Sequence, residues 1–482
     1  MVKAEPFRQR HGGILLHVTS LPSSDLGADA YRFVDFLAEA GITVWQVLPL
    51  GPTHEDLSPY QCLSVHAGNP KLISLQALVE EPWFGVCDAD LADRKAVLQQ
   101  GCRRFAIYAN QAMQAEFTAF CRDQAFWLED YVLFQALRET YGNTPWFEWP
   151  QKLRRREEQV LKAAGQELGT LMDRNRFEQF IFFRQWSRLK NYANWHGILI
   201  FGDMPIFVAH DSADVWAQPE YFTLDKDGQL TVMAGVPPDY FSATGQRWGN
   251  PLYQWDAIEA DGFCWWLGRM RTQLKLCDII RIDHFRGFES YWEISADAET
   301  AVKGRWIKAP GEALFHTLEA YYGALPLVAE DLGTITPEVE VLRDQFHLPG
   351  MKVLQFAFDG GSDNPYLPEN HVENCVVYTG THDNDTILGW FNRLSEEKRH
   401  WVYECLGFPA EPMPWALINC AFQSVARHAV VPMQDILELG SEGRMNLPGT
   451  IEGNWRWRFN WSQIKPDLAA RVRRLVERYD RL

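Results

Sequence analysis

The chain has little that would staple or anchor it from outside. Its nine cysteines are an odd number with no Cys-x-x-Cys pair, which argues against a disulfide framework and a structural zinc site and points to a reducing compartment. Positive charge is in deficit: 46 Lys and Arg stand against 63 Asp and Glu, for a net charge of −17. Neither nucleic acid nor an anionic membrane is expected as a partner, because both need clustered cations. The densest basic run, Lys152 to Arg156, is followed at once by Glu157 and Glu158 and reads as a solvated helix face. No apolar stretch approaches the roughly 18 residues of a membrane helix. Near the amino terminus, Ile14-Leu15-Leu16-His17-Val18 is too short for a signal peptide and is broken by His17, so it reads as a first strand. The expectation is a soluble, cytoplasmic protein with no internal repeat or low-complexity tract.

What is present is apolar and aromatic: 46% hydrophobic residues, 13% aromatics and 20 tryptophans, enough for a substantial core. Flat aromatic faces also suit the apolar side of a sugar ring. Three short apolar runs end in acids. Asp278-Ile279-Ile280-Arg281-Ile282-Asp283 carries a cation two residues before its terminal carboxylate; strand alternation puts Arg281 and Asp283 on one face, where an ion pair would keep Asp283 ionised. Leu325 to Glu330 and Val376 to Asp383 share the design, and the acids at 283, 330 and 383 are separated by 47 and 53 residues. A structural salt bridge or a helix cap would explain any one of these acids alone. In a barrel of parallel strands and helices, catalytic groups collect at the carboxyl ends of the strands, so a sugar-cleaving carboxylate trio is the leading reading.

Strand patterns fall near residues 14–18, 43–49, 198–207, 278–283, 325–330, 351–358, 375–380 and 430–437, with helical patterns such as Ala30 to Ala40 and Thr336 to Gln345 between them. Eight strands with helical spacers predict an α/β fold, a single (β/α)8 TIM barrel spanning residues 1–482. The spacing is uneven, so the barrel must carry long insertions between strands 2 and 3 and between strands 3 and 4. The first, 52–197, reads as largely helical, with Phe177, Phe180, Ile181 and Leu189 on a buried face. The second, 209–262, is rich in Gly, Pro and aromatics and reads as loops over the active face.

Arg281-Ile282-Asp283-His284-Phe285-Arg286-Gly287, Ala329-Glu330-Asp331-Leu332-Gly333 and Thr381-His382-Asp383-Asn384-Asp385, in that order and spacing, resemble family 77 of the glycoside hydrolases, the 4-alpha-glucanotransferases called amylomaltases or disproportionating enzymes, relatives of the alpha-amylases. The resemblance continues in Leu48-Pro49-Leu50-Gly51-Pro52-Thr53, Ser58-Pro59-Tyr60-Gln61, Ala67-Gly68-Asn69-Pro70, Gly202-Asp203-Met204-Pro205-Ile206 and Gly245-Gln246-Arg247-Trp248-Gly249-Asn250-Pro251, and covers the chain from about His17 to about Arg458. It implies retaining transfer of alpha-1,4-glucan segments between maltooligosaccharides, with no cofactor and no metal. Asp283 would be the nucleophile, Glu330 the acid and base, with a pKa raised by burial and anionic neighbours, and Asp383 the third acid, gripping sugar hydroxyls.

Weaker assignments follow from the same resemblance: Tyr60, Asp203, Gln246, Trp248, Arg281, His382 and Asn454 would bind substrate. Tyr60 would stack on the sugar, and Asn454 belongs to a segment that reads equally well as packing. His210, Asp211 and His284 suggest a metal by composition, but no ligand spacing supports one. The chain departs from the family at His54-Glu55-Asp56-Leu57, where members commonly carry a Gly-Tyr-Gly-Asp type of sequence; the four-residue length is kept and the loop is expected to hold its path. Two other readings stay open on the residues: an alpha-amylase-like hydrolase with the same acids, and a silent glucan-binding member.

Overall fold

The computed structural model describes residues 7–238 and 242–482. Eight parallel strands form the central sheet: β1 (His11–Leu15), β2 (Val44–Gln46), β3 (Leu199–Pro205), β4 (Ile279–Asp283), β5 (Leu327–Ala329), β6 (Gly350–Val353), β7 (Cys375–Tyr378) and β8 (His428–Pro432). Each pairs with its sequence neighbours, and β8 pairs back onto β1, leaving β5 and β6 as the two ends of the sheet. The ring is nearly closed there, where Ala329 N–H donates to the Pro349 carbonyl at 2.8 Å. All eight predicted strands exist. The first begins three residues earlier than its pattern, and the sixth stops at Val353, where Leu354–Phe356 tightens into a 3-10 turn.

These strands read as unbroken apolar runs because both their faces are covered. Inward-facing Leu15, Val44, Phe201, Ile279, Val328 and Val430 fill the ring as one apolar cluster. The outward residues join a second cluster that runs from Ile14 to Val476 and includes the surrounding helices. The helix Ala28–Glu39 buries Ala30, Phe33, Val34 and Leu37 on one stripe, the spacing of a core-facing helix. Between β2 and β3 lie seven helices, the longest Gly169–Trp195, whose Phe177, Phe180, Ile181 and Leu189 are all buried. Thr336 and Pro337 stand at the start of the helix Pro337–Gln345 as expected, although the Thr336 side chain accepts no capping hydrogen bond.

The second insertion differs from its sequence reading. Segment 209–262, of which residues 239–241 lie outside the described residues, contains the strands Val232–Val236 and Gln246–Arg247, which pair with each other; Val232–Val236 also pairs with Ser290–Ser295, and that strand with Gly304–Lys308, in a four-stranded antiparallel sheet. The last two strands leave the barrel between β4 and β5, an excursion the apolar pattern did not reveal.

At the amino ends of the strands, the chain terminus seals the ring. Arg481 has no exposed surface; its guanidinium donates to the carbonyls of Phe422 (2.7 Å), Ser424 (2.7 Å), Arg427 (3.2 Å) and His11 (3.3 Å), and its own carbonyl accepts from Gly12 N–H. Among the described residues, no helix is long and apolar enough to cross a membrane.

Candidate active site

The register of the ring determines which side chains meet at its carboxyl end. Asp203 on β3 pairs with Arg281 on β4, and two residues further Pro205 pairs with Asp283. Arg281 in turn pairs with Val328 and Ile282 with Ala329, so continuing the ladder brings Asp283 and Glu330 side by side on neighbouring strands, which run about 4.8 Å apart. Arg281 is buried beneath both. Its Nη1 reaches both oxygens of Asp203, at 2.9 and 2.7 Å, and its Nη2 lies 3.0 Å from Asp283 Oδ1. Asp203 is a fully enclosed partner to a buried cation.

Burial raises the Asp283 carboxyl to about 6, against the pull of Arg281. It therefore remains ionised at neutral pH, and the expected ion pair with Arg281 is present, with the cation shared with Asp203. Glu330 follows β5 and accepts two backbone hydrogen bonds, from His284 N–H to Oε2 at 2.7 Å and from Leu332 N–H to Oε1 at 2.9 Å. Burial pushes this carboxyl to about 7, with Arg281 opposing and Asp283 adding to the rise. Two neighbouring carboxyls in different surroundings, one beside the Arg281 guanidinium and one held by backbone N–H groups, are what acid and base work at one bond requires.

Beyond β7, the carboxylate of Asp383 is held on both oxygens. Asn446 Nδ2 donates to Oδ1 at 2.6 Å, and His382 Nε2 lies 3.3 Å from Oδ2. The Asp383 side chain keeps about half its surface exposed; against the desolvation of its surroundings, His382 and Asn446 bring it down to about 2, and Asp383 in turn raises the His382 imidazole. The phenol of Tyr60 joins this side to the β3 side: it donates to Asp203 Oδ2 at 2.8 Å, and its ring lies against His382 with centroids 5.0 Å apart and planes 21° apart. One face of Tyr60 is thus occupied by protein. Trp455 sits 5.9 Å from both rings.

The other predicted residues connect to this network at different distances. Trp248 donates to Gln246 Oε1 at 3.1 Å and meets the His284 ring edge-on, 4.8 Å between centroids. Asn454 spends its side chain on its own loop, accepting from Leu447 N–H and donating to Thr450. His210 and Asp211 are also committed to protein: the imidazole stacks on Phe147 and bonds the Gly228 carbonyl, while the carboxylate takes Arg138 and Trp146 N–H. In the divergent loop, Leu57 adopts φ +65° and His54 Nδ1 comes within 3.9 Å of Asp211.

Sequence reasoning missed Asn446 and Arg444, whose guanidinium donates to the Asp383 and Asn446 carbonyls at 2.6 and 2.7 Å. It also missed the backbone of His284. The only available signal was position, since polar residues between β8 and the aromatic Trp455-Arg456-Trp457 run stand where a loop of the active end must pass.

The glycoside hydrolase family 77 model, described as 4-alpha-glucanotransferase, matches residues 16–464. The chain is 51% identical to a 4-alpha-glucanotransferase of Thermus thermophilus, over 98% of this chain and 99% of that one. It is 50% identical to the 4-alpha-glucanotransferase of a Synechocystis strain, over 98% of each. The solved amylomaltase of Streptococcus agalactiae in complex with acarbose superposes with a TM-score of 0.93 at 38% identity, covering 98% of this chain and all of that one. With an eight-stranded barrel, three acids at its carboxyl end and full-length similarity of this degree, the chain belongs to glycoside hydrolase family 77 and is a 4-alpha-glucanotransferase.

Proposed function

We propose that this enzyme moves a segment of an alpha-1,4-glucan onto the 4-hydroxyl of an acceptor glucan or glucose by two successive inversions at the anomeric carbon. In the first, the Asp283 carboxylate attacks that carbon while Glu330 gives its proton to the departing glycosidic oxygen, leaving a beta-linked glucosyl ester on Asp283. In the second, Glu330, now ionised, takes the proton of the acceptor hydroxyl as its oxygen displaces Asp283. The glycosidic bond reforms in the alpha sense and both carboxyls return to their starting state. Asp383 holds the hydroxyls of the distorted ring, and Arg281 and Tyr60 fix Asp283 and Asp203 in place. The observation that carries this reading is the β4–β5 register, whose continuation past Ile282 and Ala329 brings Asp283 and Glu330 side by side at the carboxyl end, with burial raising both carboxyls.

Retention fixes a geometry: the two carboxyls should lie about 5 to 5.5 Å apart, against roughly 6.5 to 9.5 Å for an inverting pair. We take residues 1–482 as one catalytic unit, with 209–262 forming part of the cleft wall that shelters the ester from water. The decisive experiment is incubation with maltotriose and separation of the products. Longer oligosaccharides together with glucose establish transfer; shorter sugars alone would mean hydrolysis and would overturn the reading.

A further inference from the structure

His284 is the first residue beyond Asp283, and its backbone is in a conformation that side chains avoid. Its φ and ψ are 56° and 52°, the left-handed region, which costs a non-glycine residue about 1 kcal/mol or more. The turn has a result. It swings the His284 N–H away from the barrel ladder and onto Glu330 Oε2 at 2.7 Å, while the next amide, Phe285 N–H, bonds the Glu330 carbonyl. The acid is thus gripped at both side chain and main chain by the two residues that follow the nucleophile.

What holds this turn lies in another part of the chain. The imidazole of His284 meets Trp248 edge-on, 4.8 Å between centroids and 89° between planes. Trp248 is itself fixed at three points: its indole N–H on Gln246 Oε1, its carbonyl on Gln61 Nε2 at 3.3 Å, and its own N–H on the Ala234 carbonyl at 3.1 Å. Gln246 and Ala234 both belong to the antiparallel sheet over the cleft. The imidazole Nε2 has no hydrogen-bond partner among the described residues, so packing, not a polar contact, keeps the ring in place.

We propose that His284 is a positioning residue for Glu330, and that through its ring the Gln246–Trp248 hairpin governs how the acid's carboxyl is held. This rests on Glu330 being the acid. It goes beyond that reading by making a covering segment, whose residues touch neither carboxyl, a determinant of the acid's proton affinity. An N–H donated to a carboxylate stabilises the ionised form, so loosening the His284 amide makes Glu330 a weaker acid. The other groups facing Glu330 would be unchanged: Asp283 and Arg281 from β4, the Leu332 amide, Tyr366, and Asp331 with its Arg343 partner. His284 contributes no charge, because burial pushes its imidazole down to about 3.

The test is the pH dependence of kcat/KM with a long maltooligosaccharide donor, whose alkaline limb reports the free enzyme's acid. His284→Ala should move that limb upward by roughly half a pH unit or more. Trp248→Ala should move it the same way without altering the turn's own sequence, and it carries the test alone if the first variant does not fold. Trp248→Phe, which keeps a ring against His284, should leave the limb near its original position, whereas His284→Asn, which tolerates the left-handed region but offers Trp248 no ring, should move it in the same direction as His284→Ala. A fall in rate with the limb unmoved in both alanine variants would overturn the proposal, as would an equal shift in Trp248→Phe. Glu330→Gln distinguishes the two failures: normal turnover on glucans in that variant would remove the acid assignment itself, whereas a dead Glu330→Gln with an unmoved His284→Ala limb would remove only the positioning role.

Discussion

Two buried arginines mark the two ends of this barrel, and they are satisfied in opposite ways. At the carboxyl end, Arg281 is ringed by carboxylates, touching Asp203 and Asp283. In spite of burial, those anions drive its pKa well above the ordinary value. At the amino end, Arg481 touches four neutral carbonyls, and burial pulls its pKa down. In the proposed mechanism the first arrangement concentrates charge where a positive anomeric carbon is to be stabilised; the second fixes backbone carbonyls with a buried donor. Charge paired with charge at the top serves chemistry, and charge paired with backbone at the bottom serves stability.

The sharpest way to break this comparison is to find activity at the bottom or stability at the top. Asp283→Asn should lower turnover by about 10⁴-fold or more while glucan binding stays measurable by titration, because only the nucleophile's charge is lost. Normal turnover would end the assignment. Glu330→Gln should lose roughly 10³-fold on glucans yet keep its first step with alpha-glucosyl fluoride, whose leaving group needs no proton; equal losses on both donors would show that Glu330 is not the acid. Arg481→Met should cost about 3 kcal/mol in denaturant unfolding, since several buried carbonyls lose their donor, with kcat nearly unchanged in the folded fraction.

A gentler probe uses pH. The folded Glu330 carboxyl titrates near 7, not at its usual 4.5, so between those values the native state holds a proton that the unfolded chain has released. Its contribution to stability is full below about 4.5, declines as pH rises and is gone above about 7. Glu330→Gln should therefore be more stable than the parent at pH 8, by on the order of 1 kcal/mol, and equal to it near pH 4.5. A variant less stable at pH 8 would contradict the raised pKa. The smallest effect is expected at Asn454→Ala, which frees a loop whose side-chain bonds are internal: a rise in KM of less than about tenfold, read from initial rates.

Much of the barrel was legible because buried parallel strands leave uninterrupted apolar runs, and each of the eight left one. The antiparallel sheet was not, for a physical reason. Gln246–Arg247 is two residues long, too short for any period to register, and Gly304–Lys308 is an edge strand with mostly exposed residues. The three acids were visible as charge at the ends of apolar runs, and the Arg281–Asp283 contact followed from alternation. Alternation within one strand could not show that Arg281 also binds Asp203, because that needs the β3–β4 register. Nor could it place Asn446 on Asp383, since a loop polar residue carries no periodic signal, or give His284 a left-handed backbone, which ordinary residues seldom adopt.

The place where the ring fails to close completely lies next to the acid. Past the last rung between β5 and β6, the Met351 amide finds no strand carbonyl; it donates instead to Asp331 Oδ1 at 2.7 Å, and Arg343 holds the other oxygen at 2.5 Å. Gly350 completes the arrangement, because a Cβ there would run into the same carboxylate. A side chain thus does the work of a strand rung, one residue away from Glu330. The barrel is a hoop with a clasp, and the amide hydrogen of Met351 is its clock: the rate at which that hydrogen exchanges with solvent measures how often the hoop springs open beside Glu330.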